Sequence, residues 1–334
     1  MPHGLKYATK VKIMLMTGKS SSPVSILLVT YNHENYIQQA LDSLFGQVIK
    51  GPIELVIADD ASSDNTTEII RGYEGRDGRF AFKYLDSSKN IGITKNYQRG
   101  FSSCSGKYVA ILEGDDYWIS PFKLQRQIDF LDTHWEIGLC AVNYFVYEEQ
   151  RSNFYPRVDA DKGYRLIGSR DLILDNMVGN FSTCMYRKTA LNALPSSLFE
   201  IRSYDWIINI CIARNSMIGF LEEPMSVYRL HTSGAWSQAP YLEKLQIQLE
   251  VISLYDKLTN HIYHSEFELL AGQIRHNIRN IKRGDIINPI IRSTIKPLPL
   301  LADYLPPILL TSVNLLIPPK LKRFILKVFA RGTS

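Results

Sequence analysis

Apolar and polar residues alternate in blocks over the first third of the chain. Short, almost wholly apolar runs are followed by stretches whose apolar residues recur at helical spacing. Such runs favour buried parallel strands, and such stretches favour helices that cover a sheet. The predicted strands are residues 24–30, 53–58, 80–85 and 108–112, and the predicted helices are 36–47, 66–73, 95–104 and 122–131. The pattern therefore predicts an α/β, Rossmann-like fold with a mostly parallel sheet and right-handed crossovers.

The remainder of the chain is more mixed. Asp64 is the predicted cap of the second helix, and Pro121 starts the fourth at a position that proline favours. Further along, we predict strands at 138–147, 181–186 and 225–230, and helices at 169–176, 205–215, 241–258 and 265–283. The last two are amphipathic and form a predicted C-terminal helical extension.

Polar residues collect where three of the early strands end. Residues 30–32 (TYN) follow the first strand, 59–60 (DD) close the second, and 113–116 (EGDD) close the fourth. The carboxyl ends of parallel strands meet at one edge of a sheet, where open α/β folds bind ligands. The sequence therefore predicts a polar site at this edge.

The acidic stretch Glu113-Gly114-Asp115-Asp116 holds the densest charge. Three carboxylates this close repel one another unless a cation lies among them. Carboxylate oxygens are the ligands that Mg²⁺ prefers, and Mn²⁺ accepts the same ligands. A solvated acidic turn is the alternative for an isolated acidic run. The position at the end of an apolar strand favours a divalent metal, Mn²⁺ or Mg²⁺.

Composition excludes several classes of protein. Hydrophobic residues make up 45% of the chain and charged residues 21%, and no apolar run is long enough to span a membrane. The four cysteines are widely spaced, which argues against a zinc site or disulfides and suits a cytoplasmic protein. Residues 291–334 hold seven basic residues and one acid, so the net charge of +5 becomes −1 for the rest. This neutral body argues against nucleic acid as a partner.

Four segments together resemble the family-2 inverting glycosyltransferases of GT-A fold. They are SILLVTYNHENYIQQALDSLFGQ, ELVIADDASSDNT, KNIGITKNYQRGFSSCSGKYVAILEGDDYW and SPFKLQRQIDFL. The resemblance is nearly continuous over residues 24–131 and thinner to about 236. It implies transfer of a sugar from a nucleotide-diphosphate sugar to a glycan or lipid-linked acceptor, as in bacterial surface-polysaccharide assembly.

The resemblance also implies roles for individual residues. Thr30, Tyr31 and Glu34 would line the nucleotide pocket, Asp60 would meet the base, and Lys95 would lie near the nucleotide or diphosphate. Glu113 and Asp115 stand where the family has its DxD motif. The first acid is Glu here, which suggests a contact with the ribose or with the metal through water.

The remaining implied roles concern the metal and the chemistry. Asp115 is the first choice of metal ligand, with Asp116 beside it. Tyr228 to His231 matches a YRxH stretch, which would place Arg229 near the diphosphate and His231 near the metal. Asp205 would be the catalytic base, although Tyr204 stands where Glu is common. Capping of its own helix is the alternative role for Asp205.

Two other functions stay open at this point. A sugar-1-phosphate nucleotidyltransferase would need a Gly-rich phosphate loop after the first strand, and TYNHENY contains no glycine. A non-catalytic nucleotide-sugar-binding protein would explain the departures at Glu113 and Tyr204. The retained Asp115 and Asp205 favour an enzyme.

The predicted organisation has four parts. Residues 1–22 form a flexible leader without signal-peptide features, and 23–236 form the catalytic domain. Residues 237–290 form the helical extension, and 291–334 form a Pro-rich tail with a basic amphipathic end, LKRFILKVF. Such a tail favours peripheral attachment to the inner face of a membrane. The alternative is that its apolar face packs on the catalytic domain or on a second subunit of a homo-oligomer.

Overall fold

The computed structural model describes residues 23–159, 163–202, 204–234 and 239–283. Ten strands within these residues form one sheet: β1 (Val24–Thr30), β2 (Ile53–Asp59), β3 (Phe80–Tyr84), β4 (Tyr108–Glu113), β5 (Tyr117–Trp118), β6 (Ile137–Glu148), β7 (Asn153–Pro156), β8 (Tyr164–Ile167), β9 (Cys184–Arg187) and β10 (Met217–Leu230). The α-helices in the same residues are α1 (Ile37–Phe45), α2 (Thr66–Arg71), α3 (Ile93–Ser103), α4 (Lys123–Thr133), α5 (Ser169–Leu174), α6 (Lys188–Asn192), α7 (Asp205–Asn215), α8 (Tyr241–Leu258) and α9 (His264–Lys282).

The sheet is parallel on one side and mixed on the other. Its order is β3-β2-β1-β4-β9-β6-β10-β5, with β7 added to β6 and β8 added to β10. Strands β3, β2, β1 and β4 are all parallel, as the apolar runs predict, and β10 is parallel to β6. Strand β9 pairs antiparallel with both β4 and β6 and so joins the two halves. The α/β prediction is confirmed, with a larger antiparallel share than expected.

Side chains of β1 alternate between two cores because successive residues of a strand face opposite sides of the sheet. Leu27 and Val29 pack into one cluster, which includes residues of α3, α5, α7, α8 and α9. Ile26 and Leu28 pack into the other, beneath α1, α2 and α4. Both faces of the sheet are therefore covered, and the strand ends are the part that can hold a ligand.

Two predicted strands have different boundaries in the structure. The expected strand at 181–186 begins with a 3₁₀ turn, Phe181–Thr183, and only then becomes β9. The expected strand at 225–230 is the second half of β10, which has 14 residues. Register shifts around Pro224 let the chain keep pairing with β6 past a residue that cannot donate a hydrogen bond.

The helical extension packs on the catalytic fold. Leu245, Tyr255, Phe267 and Ile274 of α8 and α9 are buried in the same cluster as α5 and α7. No helix among the described residues is long and apolar enough to cross a membrane. The predicted leader (1–22) and tail (291–334) lie outside the described residues.

Candidate active site

The turn after β4 places Asp115 at the edge of the sheet. Gly114 makes the turn possible, because a Cβ at that position would lie 2.6 Å from Thr30 Oγ1 and 2.8 Å from His33 Nδ1. The main chain therefore passes directly against the end of β1. This close approach brings the acidic stretch after β4 next to residues 30–34, the TYNHE loop that follows β1.

Two histidines surround the Asp115 carboxylate. His231 Nε2 lies 3.0 Å from Asp115 Oδ2, and His33 Nε2 lies 3.7 Å from the same oxygen. The other ring nitrogens are held by Ser233 Oγ at 2.8 Å from His231 and by Thr30 Oγ1 at 3.2 Å from His33. Two imidazole nitrogens and a carboxylate oxygen form a donor set suited to a divalent transition metal.

The three acids of this stretch have different pKa shifts. Burial raises the pKa of Glu113 well above its usual value, and the charges of Asp116 and Asp115 raise it further. Burial opposes ionisation of Asp115 as well, but the hydrogen bond from His231 and the positive potential of both histidines lower its pKa. The repulsion among these carboxylates would be relieved by a divalent cation, so the residues present fit a metal.

The carboxylate of Asp116 has different partners from that of Asp115. Its Oδ1 accepts a hydrogen bond from the Arg229 main-chain N–H (2.9 Å), and its Oδ2 accepts one from Ser182 Oγ (2.7 Å). The residue is 1% exposed, and burial raises its pKa well above the ordinary value. Both oxygens therefore already join the turn after β4 to β10 and to the 3₁₀ turn, and the expectation that Asp116 binds the metal stays a prediction.

Arg229 also has a different position from the one expected. Its Nε donates to the Asp115 carbonyl oxygen (2.9 Å), and its second amino nitrogen donates to Gln39 Oε1 (2.6 Å). The guanidinium is buried among aromatic rings, with Tyr36 at 4.9 Å. Arg229 therefore holds the main chain of Asp115 in place. In this position its guanidinium contacts protein groups, so its predicted contact with a diphosphate stays a prediction.

Glu113 is the last residue of β4, at the same edge of the sheet, and the space at this edge is the proposed ligand-binding cleft. Its Oε1 accepts a hydrogen bond from the hydroxyl of Tyr97, 2.8 Å away on α3, and its main-chain N–H donates to Ser182 Oγ at 3.1 Å. Within the described residues the second carboxylate oxygen accepts no hydrogen bond, so it is available to a ligand. This arrangement is compatible with the predicted contact to a ribose hydroxyl.

The residues predicted to contact the nucleotide lie around the first two strand ends. Thr30 is buried at the end of β1, whereas Tyr31 is 47% exposed and can contact a bound base. Asp60 is buried, and its two oxygens accept hydrogen bonds from the main-chain N–H groups of Ile91 and Gly92. In this structure Asp60 positions the loop before α3, so direct contact with a base would require that loop to move.

Glu34 and Lys95 have side-chain partners away from the cleft centre. Glu34 Oε2 accepts hydrogen bonds from the main chain and the side chain of Asn65, and thus ties the TYNHE loop to the start of α2. Asp64, the predicted cap, accepts from the Thr66 N–H, although the helix cap itself is Asn65. Lys95 Nζ lies 2.6 Å from Glu200 Oε1 in an exposed ion pair.

Asp205 is the first residue of α7. Asn176 donates a hydrogen bond to its Oδ2 (3.0 Å), and burial raises its pKa to about 6. Its negative charge contributes to the raised pKa of Glu113, so the two carboxylates lie within electrostatic range of each other. A carboxylate with this pKa is ionised at neutral pH and is a stronger base than an exposed aspartate.

Three further residues contribute to this site and were not predicted from the sequence. His33 faces Asp115 from within TYNHE, Ser182 joins Asp116 to the sheet, and Asn176 orients Asp205. Of these, only His33 carried a usable signal, because it lies between Tyr31 and Glu34, which were both assigned to the nucleotide pocket. Ser182 and Asn176 occur in loops whose pattern gives no indication of their partners.

Comparisons with known proteins show the family and the fold of the chain. The family model described as Glycosyl transferase family 2 matches residues 25–194. The uncharacterized protein Rv1520 of Mycobacterium tuberculosis is 35% identical over 224 residues, which are 65% of this chain and 61% of Rv1520. The chain thus spans about three fifths of the length of this relative.

Two further proteins carry more descriptive names. The Escherichia coli protein UDP-Glc:alpha-D-GlcNAc-diphosphoundecaprenol beta-1,3-glucosyltransferase WfaP is 31% identical over 131 residues, 37% of this chain and 46% of WfaP. The structure of the mannosyltransferase PcManGT from Pyrobaculum calidifontis, in complex with GDP-Man and Mn²⁺, covers 92% of this chain and 84% of its own at a TM-score of 0.54. At 14% identity this likeness shows the fold alone, and it confirms the predicted fold class.

Proposed function

The chain belongs to glycosyl transferase family 2, and we propose that it moves a sugar from a nucleotide-diphosphate sugar to a hydroxyl group of a glycan or lipid-linked acceptor, with inversion. The observation that carries the proposal is the cleft at the sheet edge. There Asp115, His231 and Glu113 lie together, and Asp205, with its pKa of about 6, is close enough for its charge to raise the pKa of Glu113.

Asp205 is the proposed general base. In a single displacement, its carboxylate takes the proton of the acceptor hydroxyl while the acceptor oxygen bonds to the anomeric carbon. The bond from that carbon to the diphosphate oxygen breaks in the same step, and the nucleoside diphosphate leaves. One attack from the opposite face inverts the anomeric configuration and needs no covalent sugar–enzyme intermediate.

Asp115 and His231 are the residues proposed to hold a divalent metal, with His33 as a further ligand. A bound Mn²⁺ or Mg²⁺ supplies Lewis-acid stabilisation of the charge on a departing diphosphate. The presence of Mn²⁺ beside GDP-Man in PcManGT supports this proposal by analogy. Arg229 and Asp116 act as positioning residues, because they hold the main chain of Asp115 and β10 together.

Donor and acceptor follow from the same proposal. Tyr31, Thr30, Glu113 and the loop held by Asp60 would contact the nucleoside, and Lys95 would reach the diphosphate if it left Glu200. WfaP acts, by its name, on a sugar carried by diphosphoundecaprenol, which supports a lipid-linked acceptor here. We propose a cytoplasmic enzyme whose tail attaches it to the inner face of the membrane.

Release of nucleoside diphosphate tests the proposal. The full chain is incubated with UDP-Glc or GDP-Man, with and without Mn²⁺, and with undecaprenyl-diphosphate-linked sugar as acceptor. We expect metal-dependent release that the acceptor accelerates and that Asp115→Asn abolishes. Tight binding of the nucleotide sugars in calorimetry with no turnover under any of these conditions would instead identify a non-catalytic binding protein.

A further inference from the structure

A second cluster of metal-ligating side chains lies at the turn between α8 and α9, away from the cleft. Asp256 Oδ2 lies 2.8 Å from His261 Nδ1 and 2.7 Å from His264 Nδ1. One ligand atom from each of the three residues lies within 4.8 Å of the others. The two imidazoles and the carboxylate thus already face a common point.

The backbone of the turn directs His261 toward this point. Asn260 and His261 both have left-handed conformations, with φ of 55° and 58°, and the His261 N–H donates to the Asp256 carbonyl oxygen at 2.9 Å. A left-handed backbone is costly for residues other than glycine. The turn folds the chain back so that His261 lies beside the last turn of α8 and His264 begins α9.

Asp256 itself is an unusual partner for two surface histidines. The residue is 7% exposed, whereas the side chains of His261 and His264 are about 60% exposed. Its Oδ1 is buried and has no hydrogen-bond partner among the described residues. A buried carboxylate oxygen without a partner is destabilising and needs an explanation. A metal ion bound by both oxygens of the Asp256 carboxylate would provide one.

We propose that Asp256, His261 and His264 bind Zn²⁺, with the fourth position open to water. Two imidazole nitrogens and one carboxylate suit Zn²⁺ better than Mg²⁺, which prefers oxygen ligands. The ligand atoms must separate slightly to accept Zn–ligand bonds of about 2.0–2.1 Å. Both histidine rings are exposed and can make this adjustment without repacking the core.

The position of the site gives it a structural role. Tyr255, next to Asp256, is fully buried and packs edge-on against Trp206, with the ring centroids 5.6 Å apart. Trp206 directly follows Asp205 at the start of α7. A metal joining the end of α8 to the start of α9 would therefore stabilise the helix pair that supports the proposed base.

Zinc content after dialysis tests the site separately from the cleft. All proteins are full-length and carry Asp115→Asn, which weakens the proposed catalytic site, and each is stripped with chelator and dialysed against ZnCl₂. We expect the parent to retain about one zinc per chain, and the variant with His261→Ala and His264→Ala to retain none. The matched control His276→Ala, an exposed histidine on α9, should retain the zinc.

Two independent readouts accompany the zinc content. Co²⁺ added to the stripped parent should give the strong visible absorption of a four-coordinate ion, and Zn²⁺ should raise the melting temperature only where both histidines are present. Equal zinc retention by the parent and the double variant would overturn the proposal. So would a parent that binds neither Zn²⁺ nor Co²⁺, which would leave two histidines that simply hydrogen-bond to Asp256.

Discussion

His231 Nε2 lies 3.0 Å from Oδ2 of Asp115, although 116 positions separate the two residues in the chain. Asp115 follows β4 and His231 follows β10, and the two strands are joined through β9 and β6 in one sheet. His231 is 3% exposed, and Ser233 holds its other nitrogen. The carboxylate at the centre of the proposed metal site is therefore oriented by a rigid, buried partner.

Asp115→Asn should reduce transfer by more than about 100-fold, because it removes the charged ligand on which the proposed site depends. The variant should melt close to the parent, since Asp115 contributes little packing. The measurement is kcat/KM at saturating Mn²⁺, together with thermal melting. Asp129→Asn, at an exposed position on α4, is the matched control and should retain full activity. Normal turnover by folded Asp115→Asn protein would remove Asp115 from the site.

Asp205→Asn should lower kcat by about 10²- to 10⁴-fold and leave the affinity for the nucleotide sugar nearly unchanged. The parent should lose activity as the pH falls through about 6, where Asp205 becomes protonated. Steady-state kinetics across pH measures kcat and its pH dependence, and calorimetry measures the affinity for the nucleotide sugar. If donor affinity fell and kcat did not, Asp205 would be a binding or capping residue.

The same substitution has an expected effect on stability. The folded-state pKa of Asp205 is raised above its ordinary value, so the folded protein binds the proton more tightly than the unfolded chain. The resulting stabilisation is present at low pH and is lost as the pH rises through about 6. At pH 8 the Asn variant should therefore be at least as stable as the parent in urea unfolding. A clearly less stable variant would mean that the ionised carboxylate contributes to the fold.

Asp116→Ala should destabilise the fold by about 1–3 kcal/mol, because the hydroxyl of Ser182 and the N–H of Arg229 lose a buried acceptor. Asp116→Asn should cost less, since its amide can still accept from Arg229 and donate to Ser182. The Mn²⁺ concentration for half-maximal activity should be unchanged in the Asn variant. An increase of about 10-fold or more in that Mn²⁺ concentration is the size expected for a lost ligand contact. It would show that Asp116 belongs to the metal site.

Gly114→Ala should impair both folding and activity. The added methyl would lie 2.6 Å from Thr30 Oγ1 and 3.0 Å from Ile37 Cδ1, so the turn must shift away from β1. Overpacking of this kind costs about 1–3 kcal/mol, and the shift would move Asp115. Gly78→Ala, where a Cβ would have no neighbour within 4 Å, is the control for unfolding in urea and for kcat/KM. Equal behaviour of the two variants would show that the turn has room to adapt.

Removal of residues 297–334 should abolish binding to anionic vesicles. The C-terminal end holds five basic residues: Lys320, Lys322, Arg323, Lys327 and Arg331. Each contributes on the order of 1 kcal/mol to binding near an anionic leaflet. Co-sedimentation with vesicles compares the full chain with one that ends at Lys296, and neutral vesicles serve as the control. Equal binding by both chains would remove the membrane role and favour packing of the tail on protein.

The local pattern of the sequence determined the elements and the edge at which they place polar groups. Apolar runs predicted β1, β2 and β4 almost to the residue, and α7 was predicted over its full length. Chain order alone then placed residues 30–32, 59–60 and 113–116 at one end of the sheet, because parallel strands with helical crossovers all point the same way. The family resemblance came from these same segments.

Only the tertiary structure decided which of these polar residues face the cleft. Asp115 and Asp116 are adjacent and chemically alike. The Asp115 carboxylate nevertheless lies beside two histidines, whereas the Asp116 carboxylate accepts hydrogen bonds from Ser182 and from the main chain of Arg229. Arg229 lies in β10, His231 follows it, and Ser182 lies in a turn more than 60 residues from Asp116. No local pattern encodes such pairings. A carboxylate becomes a ligand, a base or a structural anchor according to which donors the folded chain brings to its oxygens, and that choice is made by long-range contacts.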